Sequence, residues 1–217
     1  MSNNAVVPAP SAARVCELVI GGAPTGWEAI GIHLSKENRC LLADVSLRID
    51  STLAPGLHAW SISEIDASTT QIDGITTSLA MNAATPQATP NSGFSLHVVG
   101  VDHVVINTPN LQRTSDALAQ LTGAPLKRTR DAGNGVTQGF HKLGSVVVEL
   151  VTMPSMPEGP ASLWGFVLNV KDLDGIAAHL GPDVLSPPKP AVQPGRRIAT
   201  FRSAAALGVP VALMCDS

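Results

Sequence analysis

Two short stretches decide the fold: Val104-Val-Ile-Asn107 leading into Thr108-Pro-Asn-Leu111, and Phe166-Val-Leu-Asn169 leading into Lys171-Asp-Leu173. Each is an apolar run suited to a strand, followed by a turn and a helix-start signal. Pro109 suits the first turn of a helix, and Asp172 suits an N-cap. Leu111, Ala117, Leu118 and Leu121 then make one apolar helical face, as do Leu173, Ile176, Ala177 and Leu180. Gly123 and Gly181 follow as stops. Three strand-like runs come after each helix: 126–130, 136–142 and 145–152 in the first copy, and 184–185, 198–202 and 209–215 in the second. The chain therefore repeats a strand–helix–strand–strand–strand unit, βαβββ, and its fold class is α+β.

Working outward, residues 1–13 are rich in Pro, Ala, Ser and Asn and read as a disordered N-terminus. Residues 82–93, with Pro86 and Pro90, read as a linker. Between them, 14–81 reads as a degenerate module of the same kind. Val15–Ile20 is its first strand, Thr25–Ile30 a short helix with Thr25 as a possible cap, and 40–43, 45–49 and 57–63 alternate as strands do. A helix that short is marginal alone and must be held by packing. Residues 94–217 hold the two clear modules, at about 98–155 and 160–216.

Composition narrows the function. The 217 residues are 44% apolar, only 14% charged and 3% aromatic, with a net charge of −3. A typical globular chain has about 25% charged residues, so the core is aliphatic and the surface sparsely charged. The charge excludes a broad basic field for nucleic acid, and the few aromatics exclude a base-stacking platform. No apolar run approaches the roughly 20 residues of a membrane span. The N-terminus lacks the basic and apolar regions of a secretory signal. Cys16, Cys40 and Cys215 are an odd number with no CxxC, and read as reduced, buried thiols in a cytoplasmic protein.

The duplicated βαβββ unit resembles the vicinal oxygen chelate superfamily, the glyoxalase, bleomycin-resistance and dihydroxybiphenyl-dioxygenase-like fold. The residues that carry the resemblance are Gly100-Val-Asp-His-Val-Val-Ile-Asn-Thr-Pro-Asn-Leu111, Ser145-Val-Val-Val-Glu-Leu-Val151 and Trp164-Gly-Phe-Val-Leu-Asn-Val-Lys-Asp-Leu173. The resemblance implies curved mixed β-sheets around a pocket for a small-molecule substrate or ligand, and a possible homodimer. It implies a divalent metal (Fe, Mn, Zn or Ni) held from the first and fourth strands, at positions that fall on His103 and Glu149, with Glu149 as metal ligand or catalytic base. In the last module the matching positions are Gly165, or Trp164 one residue off, and Ala212 or Leu213, none of them a ligand. His58, in Gly56-Leu-His-Ala-Trp60, is a candidate third metal ligand, and Glu17 lies on another strand of the first part.

The residues by themselves add four readings. His103 follows Asp102, and on a regular strand the two point to opposite faces. Glu149 stands in an apolar run and needs a partner if buried. Gln193-Pro-Gly-Arg-Arg197 presents Arg196 and Arg197 at a turn, as candidates to grip an anionic head group, and Trp164 is a candidate wall of the substrate pocket. Two functions of different class follow. One is a metal-dependent lyase, isomerase or dioxygenase-type enzyme. The other is a metal-free protein of the same fold that binds or sequesters a small molecule.

Overall fold

A computed structural model describes residues 12–65, 71–80 and 93–216. In chain order the first half contains β1 (Arg14–Gly21), α1 (Thr25–Ala29), β2 (Arg39–Leu42), β3 (Val45–Asp50), β4 (Gly56–Ser63), β5 (Gln71–Ile72) and β6 (Ile75–Leu79). The second half contains β7 (Val98–Asn107), α2 (Leu111–Thr122), β8 (Arg128–Gly133), β9 (Val136–Leu143), β10 (Val146–Thr152), β11 (Ser162–Val170), α3 (Leu173–Leu180), β12 (Lys189–Pro190), β13 (Arg196–Thr200) and β14 (Val211–Asp216). The linker expected at 82–93 lies, apart from Gly93, outside the described residues. Ala13, counted above with the N-terminus, is fully buried.

The second half forms one curved eight-stranded sheet in the order β12-β13-β14-β11-β7-β10-β9-β8. Within each module the first and fourth strands run parallel, β7 beside β10 and β11 beside β14, while β7 and β11 join the modules antiparallel. This is the glyoxalase-like arrangement of two βαβββ modules.

Local chemistry places the helices. Asn110 caps α2, which puts Pro109 before the helix and not in its first turn: the Asn110 side chain accepts the backbone N–H of Arg113 at 3.0 Å. Asp172 caps α3 in the same way through Gly175 at 2.8 Å. Gly123 ends α2 in the left-handed region, at φ 68°. Thr25 lies inside α1, which begins after Pro24 without a side-chain cap. The run at 184–185 contributes only an isolated bridge between Leu185 and Phe201, and the true edge strand is β12.

The first half forms a six-stranded sheet, β2-β3-β1-β4-β6-β5. Among the described residues it repeats the order of the larger sheet without the outermost strand at each end. Residues 14–79 thus pair as two abbreviated modules, where the sequence suggested one. The β-bulges support this match. Cys16 is the unpaired extra residue of β1 and Asp102 that of β7, and His58 is skipped on β4 as Trp164 is on β11. Aligned this way, Glu17 takes the place of His103 and Arg48 that of Glu149. The second abbreviated module left little signal in the sequence because β5, Gln71–Ile72, is too short to show alternation.

A single apolar core joins the two sheets. Leu18 and Trp60 from one and Val104, Ile106 and Leu168 from the other are all fully buried in it. Trp27 of α1 stacks on Phe166 of β11, with centroids 6.1 Å apart. Gly26 permits this docking, because a Cβ there would come within 2.5 Å of the Ala206 carbonyl oxygen. So α1, five residues long, is held by packing, as its length demands. Asp73, in the β5–β6 turn, clasps the start of α2 by accepting from Arg113 at 2.8 Å and from Thr114 at 2.5 Å. Cys40 and Cys215 are buried and Cys16 half-buried, and all three are free thiols. Burial pushes the Cys40 thiol up to about 12.

His141 sits beneath α2 at 1% exposure. Its Nδ1–H donates to the Ala124 carbonyl at 2.9 Å, which leaves Nε2 to accept from the Ser115 hydroxyl at 3.0 Å. Burial lowers its pKa, against the hydrogen bond to Ala124. The fold therefore favours the neutral ring. Its contribution is fully present above the unfolded value, about 6.5, and is lost as the pH falls below that through the lower folded value. Urea midpoints taken at pH 7, 6 and 5 are expected to fall more steeply in the wild type than in His141→Gln. Parallel slopes would contradict this.

Candidate functional site

The concave face of the larger sheet holds a cavity of about 440 Å³, inside the usual range for a small-molecule site. Strand alternation builds it. Val104 and Ile106 point into the core, and His103, Val105 and Asn107 point into the cavity. Val151, Met153, Trp164, Phe166, Ile198 and Pro210 make most of the remaining wall apolar. Trp164, on its bulge, is 49% exposed and lines this wall.

His103 and Glu149 stand together on one wall. His103 and Glu149 are 14% and 13% exposed, and His103 Nε2 lies 3.5 Å from Glu149 Oε2. The other ring nitrogen, Nδ1, is 2.7 Å from Asp102 Oδ2. This corrects the expectation that Asp102 and His103 face opposite ways. The bulge at Asp102 sets two β7 residues against one on β11, which turns consecutive side chains to the same side.

Behind Asp102 stands Arg196, which donates to Asp102 Oδ1 at 2.7 Å, to Gln193 at 3.0 Å and to Asn169 at 2.5 Å. Beyond Glu149 stands Gln138, whose amide donates to Glu149 Oε1. Arg130 in turn donates to the Gln138 carbonyl oxygen, at 2.7 Å from Nε. One polar chain thus runs Arg196–Asp102–His103–Glu149–Gln138–Arg130 across five strands.

The electrostatics differ at its two carboxylates. Burial pushes both up. At Asp102, hydrogen bonds from His103 and Arg196, with their charges, outweigh it and hold the carboxyl well below the usual range. At Glu149 burial wins: the pKa is raised despite the nearby charges of His103, Arg130 and Arg128. Asp102 is therefore held as the anion, and Glu149 is the one of the two that keeps its proton more readily.

Several sequence candidates lie elsewhere. His58 is on β4 of the smaller sheet, exposed, with Nε2 2.7 Å from the Ala54 carbonyl. It does not line the cavity, so the set His58, His103 and Glu149 is not assembled. Glu17 is paired with Arg39 and Arg48. Arg197 forms a two-pronged pair with Asp174, at 2.5 and 2.9 Å, away from the cavity lining. Arg196 is taken up by Asp102 and Asn169, so it serves the site from behind.

Strand register also tests the expected metal. Glu149 lies opposite Val105 and Ala212 opposite Val167. This makes Gly165 and Ala212 the counterparts of His103 and Glu149 in the last module. The donors facing the cavity from the matching positions are therefore two, one fewer than a tight catalytic site takes. Among the described residues no group of three or more His, Cys, Asp or Glu is placed to hold an ion. The donor set does not fit a resident Fe, Mn, Zn or Ni centre.

Among the residues missed in the sequence, Gln138 had a signal: it alternates with Phe140 on a run that pairs with the Glu149 strand. The Arg130–Gln138 contact had none, since it depends on pairing across a turn.

No family model matches the chain, and no curated protein matches it either. Solved structures do. Methylmalonyl-CoA epimerase from Mycobacterium tuberculosis superposes with a TM-score of 0.47 at 18% identity, over 58% of this chain and 92% of that one. A second methylmalonyl-CoA epimerase gives 0.45 at 20%, over 55% and 97%. A Streptomyces coelicolor methylmalonyl-CoA epimerase variant in complex with 2-nitronate-propionyl-CoA gives 0.45 at 17%, over 55% and 96%. No helix among the described residues is long and apolar enough to cross a membrane.

Proposed function

We propose that the cavity binds a small, largely apolar organic molecule and that Glu149 and His103 move a proton on it without a resident metal. The observation that carries the proposal is the Asp102–His103–Glu149 chain, 2.7 and 3.5 Å between its members, at one wall of an apolar cavity. Asp102 accepts from Nδ1–H, which directs Nε2 at Glu149. Gln138 occupies one Glu149 oxygen and leaves the other facing His103. The two form a base and acid pair: the unprotonated member takes a proton from a bound carbon acid and the protonated one returns a proton to the resulting anion. This is isomerase- or lyase-type chemistry. The free thiols suit a reducing, cytoplasmic setting.

The test is hydrogen exchange. A mixture of 2-oxo acids, aryl ketones and unsaturated esters is incubated with the protein in D2O, with and without EDTA, and read by mass spectrometry. Catalysed deuterium uptake unaffected by EDTA is expected. Glu149→Gln is expected to lower it by about 10²–10⁴-fold. Uptake that requires an added divalent metal would overturn the metal-free proposal. Binding without uptake would favour a sequestering protein, for which the half-exposed Trp164 on the cavity wall is the supporting observation.

A further inference from the structure

We infer that Arg128 is the specificity residue for the molecule bound in the cavity and selects one with a carboxylate at the end of an apolar body. The inference rests on the pocket reading above and names its substrate class. Cross-strand register sets the geometry. Arg128 lies opposite Phe140, Phe140 opposite Glu149, and Glu149 opposite Val105. These four side chains form one row on the concave face. With strands spaced about 4.8 Å apart, Arg128 stands about 10 Å from Glu149, two strands out from the cavity wall and beyond its lining residues.

Its guanidinium lies over the Phe140 ring, 4.5 Å from the centroid. That cation–π contact needs none of the guanidinium N–H groups, which are the donors that grip a carboxylate in two-pronged fashion. The other arginines near the site are engaged: Arg130 with Gln138, Arg196 with Asp102 and Asn169, Arg197 with Asp174. Among the described residues Arg128 has no carboxylate partner, and it is exposed. Its charge nevertheless reaches the site, since it is one of those acting on Glu149. The anion grip assigned by sequence to Arg196 and Arg197 thus passes to the opposite edge of the sheet.

Octanoate and its uncharged amide, octanamide, are the probes, with affinities measured by calorimetry on the full chain. Wild type is expected to bind octanoate at least tenfold more tightly than octanamide, and added salt to narrow the gap. Arg128→Gln is expected to abolish that preference while leaving octanamide binding unchanged, and Arg197→Gln to preserve it. Equal binding of both probes by wild type, or a preference that survives Arg128→Gln, would overturn the inference and leave the apolar pocket standing. Failure of both probes to bind would overturn the inference together with the pocket reading. An Arg128-dependent preference in a protein whose Glu149→Gln variant exchanges protons as wild type does would sink only the proton-transfer proposal.

Discussion

Trp60→Ala is expected to lower stability by about 3–5 kcal/mol, the usual cost of truncating a fully buried tryptophan. Trp60 is 0% exposed, on the strand of the smaller sheet that packs against β11. Its indole N–H donates to the Thr77 hydroxyl at 2.8 Å, and that hydroxyl donates to the Ile75 carbonyl at 3.1 Å. Removing the ring opens a cavity between the sheets and leaves an acceptor unfilled. A domain typically has only 5–15 kcal/mol in hand, so the variant is expected near its threshold at 37 °C. Trp60→Phe keeps most of the volume and loses one hydrogen bond, about 1 kcal/mol. Urea unfolding of the two variants separates volume from hydrogen bonding. Near-equal losses would show that the sheets are not joined through this residue.

The second large effect is at Arg196. Its side chain is 20% exposed and that of Asp102 13%, so Arg196→Met leaves a mostly buried carboxylate without its cation. Removing one member of such a pair costs about 3 kcal/mol, because the remaining charge stays desolvated. The same loss raises the Asp102 pKa toward its ordinary value, since Arg196 is one of the causes that lower it. For a lowered carboxyl, the stabilisation is fully present above the unfolded value, about 3.9, and is lost as the pH falls through the folded one. Acid unfolding between pH 5 and 2 is therefore expected to be shallower in Arg196→Met than in wild type. Adding Asp102→Asn to Arg196→Met removes the orphaned charge and keeps a hydrogen-bond partner for His103. The double variant is expected to recover more than half of the lost stability, and a simple sum of the two single losses would contradict the coupling.

Much of the larger sheet was legible because its signals are local. Alternation across β7, β9 and β10, the Asp172 cap and the Gly123 stop each depend on a few neighbouring residues. His103 and Glu149 were legible for the same reason, as polar residues on strands whose alternate positions are apolar. Partners were not. His58 and His103 sit at comparable places in strand-like runs, yet pairing puts them on different sheets. Arg196 and Arg197 are adjacent in sequence, and strand alternation sends one to Asp102 and the other to Asp174.

The sequence by itself determined the repeated βαβββ unit, the aliphatic core and the two polar residues on one wall of the cavity, because periodicity and capping are written within each segment. Only the tertiary structure decided that residues 14–79 pair as two abbreviated modules, that the bulge at Asp102 turns it onto His103, and that Arg128 shares a cross-strand row with Glu149. Register is a relation between strands far apart in the chain, and a shift of one residue reverses which side chains face the cavity.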